Sequence, residues 1–241
     1  MIHQTKGIVL HRLKYSDSSI IANIYTEKFG KQAYIVYKSK SKNSKTRTNL
    51  LQPFYILDMQ VYHKETGNLQ KIKEFSLDSH LNSIPFDIKK NTISLFLSEV
   101  LYKVLKENEP DELLFSFLEN SISILDLSEN GISNFHVLFL LKLCRFLGIE
   151  PENNYSEVKQ VFDMKAGKFI MGRPAHPYFF SQKLSQNFAS LFSISLNEAS
   201  KLQINKQTTT ELLYKMLEYY KIHLDNPKKI NSLAIFKEVF A

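Results

Sequence analysis

Cysteine is almost absent: Cys144 is the only one in 241 residues. A single thiol excludes an internal disulfide and a zinc site built from several cysteines. No run of about 18 apolar residues occurs, which excludes a membrane-spanning helix. The N-terminal MIHQTKG lacks the apolar core of a signal peptide, so the expected location is cytoplasmic. Glycine-rich phosphate loops with a lysine, nucleophile elbows and paired-histidine helix motifs are also missing. The seven histidines are scattered. His11, His63 and His80 lie on or beside strand-like stretches, His136 opens an apolar stretch, and His176 stands between prolines in RPAHPY. None has a second ligand at metal-binding spacing. Cys144 sits in the most apolar stretch, where a buried thiol is inert. The expectation is a protein that is not an enzyme and has no cofactor and no zinc.

What is present is positive charge, concentrated at one end. Residues 1–80 hold 13 Lys or Arg and 6 Asp or Glu, which accounts for the whole net charge of +7. Residues 81–241 hold 18 of each. A basic region beside a neutral one points to a polyanion partner for the first. The plain alternative is a lysine-rich surface that only keeps the protein in solution.

The basic region reads as strands. Ile8, Leu10 and Arg12 alternate with Val9, His11 and Leu13. Ile20, Ala22 and Ile24 repeat the period of two, as do Ala33, Ile35 and Tyr37. Gly30 is the expected left-handed turn residue between the second and third strands. A fourth strand is expected over Phe54–Tyr62 and a fifth from about Leu69 to Leu77. Five short strands in so few residues suit a small closed barrel, either of the oligonucleotide-binding (OB) kind or SH3-like. After Pro85 the period changes to that of helices, at Ile88–Lys106, Pro110–Leu127 and Phe135–Leu147. Residues 150–180 are rich in turns, with a small hairpin expected from Val158–Phe162 and Lys168–Met171. Helices resume over Ser181–Phe192, Leu196–Lys201, Thr209–Leu224 and Ile230–Phe240. The fold class is α+β multidomain: a five-stranded barrel over 1–80, then an all-helical domain over 81–241 with a small β-hairpin insertion.

Tyr15, Tyr25, Tyr34 and Tyr37 lie among the basic residues of the strands. Single-stranded nucleic acid is held by a positive groove and by rings that stack on bases. Each tyrosine alone also fits plain barrel covering. The run SKSKNSKTRTN from Ser39 has no apolar side chain and suits phosphate contact. Candidate nucleic-acid contacts are therefore Arg12, Lys14, Tyr15, Lys31, Tyr34 and Tyr37. Lys38, Lys40, Lys42, Lys45 and Arg47 follow in the basic run.

Several stretches carry a family resemblance. They are the turn Tyr15-Ser16-Asp17-Ser18, TEKFGK from Thr26, LQPF from Leu51, and LLYKMLEYYKIHL with INSLAIFKEVF near the end. The order of strands, basic loop and neutral helical region resembles RecO, a family of bacterial recombination mediators of DNA repair. The resemblance covers nearly the whole chain. It implies an OB-fold, binding of single- and double-stranded DNA, and annealing of complementary strands. It also implies loading of recombinase onto strands coated with single-stranded-DNA-binding protein (SSB), in a bacterial, nucleoid-associated setting without a membrane. The partners implied are RecR and the acidic C-terminal tail of SSB. Lys142 and Arg145, on the third helix, are candidates for meeting that tail, or else plain snorkelling side chains. The chain departs from the family in one respect. Many members carry a four-cysteine zinc module, whereas the stretch from about Tyr155 to Phe180 has no cysteine. Two alternatives remain at this stage: an RNA-binding module on the same barrel, and an accessory subunit that docks an acidic protein.

Overall fold

The computed structural model describes residues 1–37, 48–64, 67–130, 132–224 and 229–240. The chain forms two compact units, Met1–Leu127 with Ile230–Ala241, and Ser128–Lys229. The change from strands to helices falls near residue 80, as expected, but the compact units divide at 127/128. The first helices after the strands belong with the barrel.

The first unit is built on five strands: β1 (Ile2–Ser16), β2 (Ser19–Thr26), β3 (Gly30–Tyr37), β4 (Ile56–Tyr62) and β5 (Gln70–Leu77). They close in the order β1-β2-β3-β5-β4. This is the OB arrangement, and it sets aside the SH3-like alternative. β1 is long because it serves two partners. Ile2–Ile8 pairs with β4, and Gly7–Ser16 pairs with β2. The parallel pairs Tyr34↔Gln70 and Ile35↔Lys71 complete the closure. Val9, Ala22, Ile24, Tyr34, Val36, Leu51, Leu57, Met59 and Val61 fill the interior. At Gly7 a Cβ would lie 2.5 Å from Met59 Cε and 2.6 Å from Ile24 Cγ2, so the packing requires glycine. Gly30 has φ +64°, as expected for the turn residue. β4 begins at Ile56 rather than Phe54 because Phe54 has φ +67°, outside the strand region.

The outer face of the barrel is also covered. Ile8 and Tyr25, paired across β1 and β2, are fully buried. Tyr25 stacks on Phe115 at 6.3 Å. Phe115 belongs to α2 (Glu112–Leu127), which follows α1 (Ile88–Val104). Asp87 caps α1 by accepting from the amides of Lys89 and Lys90. α2 is capped by Asp111, which accepts from Leu114 N at 2.9 Å; Pro110 therefore precedes the helix. The C-terminal helix of this unit (Leu233–Phe240) packs on α1 through Phe96 and Phe236, 4.9 Å apart.

The second unit centres on α3 (Phe135–Phe146), which is buried almost all round, as its composition suggests. It also holds the hairpin β6 (Val161–Asp163) and β7 (Lys168–Ile170), α4 (Gln182–Phe192), and α5 (Lys206–His223). The C-terminal helix is then α6. Leu196–Lys201 is a 3-10 turn rather than an α-helix. The hairpin is held by rings: Phe162 lies 5.1 Å from Phe169, 5.0 Å from Phe180 and 4.8 Å from Phe188. These ring contacts bury the segment. Among the described residues, no three His, Cys, Asp or Glu side chains group as a metal site.

Candidate nucleic-acid interface

The site starts from an irregularity in β1. Val9 pairs with Ile24 and His11 pairs with Asn23, so Leu10 is an extra residue, a β-bulge. A bulge reverses the parity of every residue beyond it. Up to Val9, odd positions face the interior. Beyond it, Arg12 pairs with Ala22 and Lys14 with Ile20. Directly paired residues share a face, and Ala22 is interior. Arg12 and Lys14 therefore leave the barrel on its concave side, above the core. The simple alternation of Ile8, Leu10 and Arg12 is broken at this point.

The result is a groove of about 350 Å³ lined by Arg12, Leu13, Lys14, Ile20 and Thr48. No acid lines it. Arg12 Nη1 donates to the Thr48 carbonyl at 3.1 Å, which uses one of the five guanidinium donors. Lys14 pairs with Asp17 at 2.7 Å, but both side chains are exposed, so the pair is weak and open to competition. Tyr15 is 61% exposed and Tyr37 is 63% exposed. Both lie at this end of the sheet, because Ser19 pairs with Ser16 on one side and with Tyr37 on the other. Cations and open rings at one barrel end can hold phosphates and stack on bases. Leu13, Ile20 and Thr48 were not foreseen as lining residues.

Two expected contacts are corrected. Tyr34 has no exposed surface and fills the barrel interior, where burial pushes its phenol upward. Tyr25 is likewise buried, its phenol raised to about 12, chiefly by burial. Lys31 is buried, and its Nζ donates to the carbonyls of Tyr102 (3.0 Å) and Leu105 at the end of α1. The last carbonyls of a helix have no partner within it and attract a cation. Lys31 is thus part of the barrel-to-helix joint and not of a DNA surface. Lys38, Lys40, Lys42, Lys45 and Arg47 lie outside the described residues. Their flanking residues, Tyr37 and Thr48, both belong to the groove end.

In the second unit the two residues expected to meet a protein differ. Lys142 is half-buried, and its Nζ donates to the Phe192 carbonyl at 3.0 Å, at the end of α4. Burial lowers its pKa, partly opposed by Glu150. Arg145 is exposed. Cys144 is fully buried and its thiol is raised to about 12, chiefly by burial. His136 is fully buried and held neutral, its pKa pushed down to about 3 by burial.

Comparison with known proteins bears on both units. The family model described as recombination protein O N terminal matches residues 1–79. The one described as recombination protein O C terminal matches residues 85–232. A DNA repair protein RecO of Azobacteroides pseudotrichonymphae is 33% identical over 240 residues, covering 100% of both chains. One from Bacteroides fragilis is 33% identical over 241 residues, again covering 100% of both. One from Flavobacterium psychrophilum is 33% identical over 243 residues, covering 99% of each.

Proposed function

The chain belongs to the RecO family of DNA repair proteins, and from that premise we propose that it binds and anneals single strands and helps load recombinase onto SSB-coated DNA. The observation that carries this reading is the bulge at Leu10, which sets Arg12 and Lys14 over a groove with open Tyr15 and Tyr37 beside it. Arginine and lysine neutralise phosphates and release counterions, which gives sequence-independent affinity. The tyrosines add stacking, which every base permits. Action is by binding and not by catalysis. The partners are single- and double-stranded DNA, RecR and the acidic tail of SSB. Because Lys142 is tied to a helix end, Arg145 is the residue of that pair left to meet an acidic tail.

The test is a titration of labelled oligothymidine, duplex DNA and RNA at two salt concentrations. Replacing Arg12 and Lys14 together by alanine removes two phosphate contacts. The log affinity–log salt slope for single strands should then flatten by at most about 1.4. Tyr37→Ala should weaken binding by about 1–3 kcal/mol with little change in that slope. Unchanged slope and affinity in both variants would overturn the reading, and a clear preference for RNA would favour the RNA-binding alternative.

A further inference from the structure

The neutral charge of residues 81–241 conceals a local excess. Residues 159–183 hold five Lys or Arg and one acid, Asp163. Three of those cations gather on one small sheet of the second unit. Phe162 and Phe169, paired across β6 and β7, point into the core and are buried. The next pair, Asp163 and Lys168, faces the other way by the two-residue period. Residues 178–180 run along the free edge of β6, with Phe180 N donating to Phe162 O and Met164 N to Tyr178 O.

Two rings on this added edge carry cations. The Arg173 guanidinium lies 4.8 Å from the centroid of Phe179, and Lys165 Nζ lies 5.2 Å from that of Tyr178. Ring faces attract and orient cations, so neither side chain is left to wander toward an acid. The adjoining acids do not cancel them. The Asp163 carboxylate accepts from the amides of Lys165 and Ala166 and lies 3.4 Å from His176 Nε2. Glu152 flanks Lys168 through a single bridge pair and is exposed. Lys165, Lys168 and Arg173 are all exposed, and among the described residues none is in an ion pair.

We propose that this hairpin and its added edge are a second nucleic-acid contact, which holds the phosphates of a second strand through Lys165, Lys168 and Arg173. The proposal rests on the reading of the chain as a strand annealer, for which one protein must hold two strands. Phosphate fits the face better than an acidic peptide does. The rings of Tyr178 and Phe179 are covered by cations, so these two rings are not open to a peptide's side chains. Contact of this kind reads no bases and serves any complementary pair.

The experiment uses the full chain with Lys165, Lys168 and Arg173 all changed to glutamine, and a second variant with Lys165→Glu and Arg173→Glu. Protein preloaded with unlabelled oligothymidine is titrated with a labelled second strand, and annealing of complementary oligonucleotides is followed by energy transfer. First-strand affinity should stay within about twofold, because the groove is untouched. The salt slope for the second strand should flatten by at most about 2.1 in the triple variant. Annealing should slow at least about tenfold in both variants, more in the charge-reversed one. Unchanged second-strand binding and annealing, with the Arg12/Lys14 variant impaired, would overturn this proposal and leave the groove reading standing. Parental behaviour of the groove variant as well would overturn both. Loss of binding to a glutamate-rich probe peptide, with both DNA steps intact, would make the face a protein-docking surface and so also overturn it.

Discussion

Lys31 and Lys90 place charge inside the first unit, and each uses it on a helix end. Lys31 meets the carbonyls of Tyr102 and Leu105 in the last turn of α1; Lys90 Nζ donates to Ser83 Oγ at 2.6 Å and to the Asp126 carbonyl, near the end of α2, at 2.8 Å. Lys31→Met should cost about 1–3 kcal/mol of stability by leaving those carbonyls unpaired. The salt slope of DNA binding should not change; a flatter slope with an intact fold would put Lys31 back on the DNA surface. Glu99 shows the converse. Burial opposes its charge, but Lys103, Ser232 and the amides of Asn231 and Ser232 together hold its carboxyl at about 2, from an ordinary 4.5. Those two amides precede α6, so the carboxylate fixes the entry of that helix. A lowered carboxyl pKa stabilises the fold above the unfolded value. That contribution should be full above about pH 5 and disappear as pH falls from 4.5 towards 2. Glu99→Gln should lose about 2 kcal/mol at neutral pH and flatten the stability profile in that acid window, as measured by urea unfolding at stepped pH. An unaltered profile would show that Glu99 does not govern it. The residue scale is also where the sequence misleads. Tyr34 and Tyr37 look alike in YIVY, yet one fills the barrel and the other is open. Both faces of β3 are apolar, with Tyr34 and Val36 inside and Ile35 buried outside, so alternation does not reveal which tyrosine is free.

Elements were easier to read than their irregularities. The five strands and the amphipathic helices follow from periodicity, while the hairpin was read from its turn residues and its first strand is Val161–Asp163 rather than Val158–Phe162. The bulge at Leu10 was not legible. A single inserted residue leaves the local composition unchanged and becomes visible only through the partner strand, which pairs Val9 and His11 with consecutive residues. The facing of Arg12 and Lys14 depends on that bulge, although charge alone found both residues; Leu13, Ile20 and Thr48 carry no charge and so escaped sequence reasoning. The hairpin between Tyr155 and Phe180 makes a separate point. There Phe162, Phe169, Phe180 and Phe188 pack ring against ring at centroid distances of 4.8 to 5.1 Å. Rings that exclude water can supply the cohesion that four thiolates would otherwise give. Purified protein should hold no stoichiometric zinc, and chelator should leave its melting temperature unchanged. Phe162→Ala should cost about 3–5 kcal/mol, since the side chain is fully buried among large neighbours. One tightly held zinc per chain by elemental analysis would refute the metal-free account.

At the scale of the whole molecule the positive charge and the core do not divide at the same place. The charge excess ends near residue 80, whereas the first compact unit continues to Leu127 and takes back Ile230–Ala241. A fragment ending near Leu77 would therefore strip cover from the barrel. Tyr25 would lose Phe115, His11 would lose its stack on Tyr102 at 4.8 Å, and Lys31 would be left buried without its carbonyls. Such a fragment should be unstable, while a fusion of 1–127 to 230–241 should fold and keep DNA binding; a stable 1–77 piece by thermal melting would show that the helices are dispensable. The charge itself is tested in the intact chain. Lys40, Lys42, Lys45 and Arg47 stand in the sequence between Tyr37 and Thr48, and no apolar residue accompanies them in SKSKNSKTRTN. If they follow the DNA backbone, each contributes roughly −0.7 to the dependence of log affinity on log salt for a single strand. Changing all four to alanine should flatten the slope by at most about 2.8, alike for every sequence, because phosphate contacts read no bases. Stability should move by no more than about 0.5 kcal/mol. An unchanged slope in that variant, beside a flattened one in the Arg12/Lys14 variant, would confine the interface to the groove and leave the basic run a solvated connection.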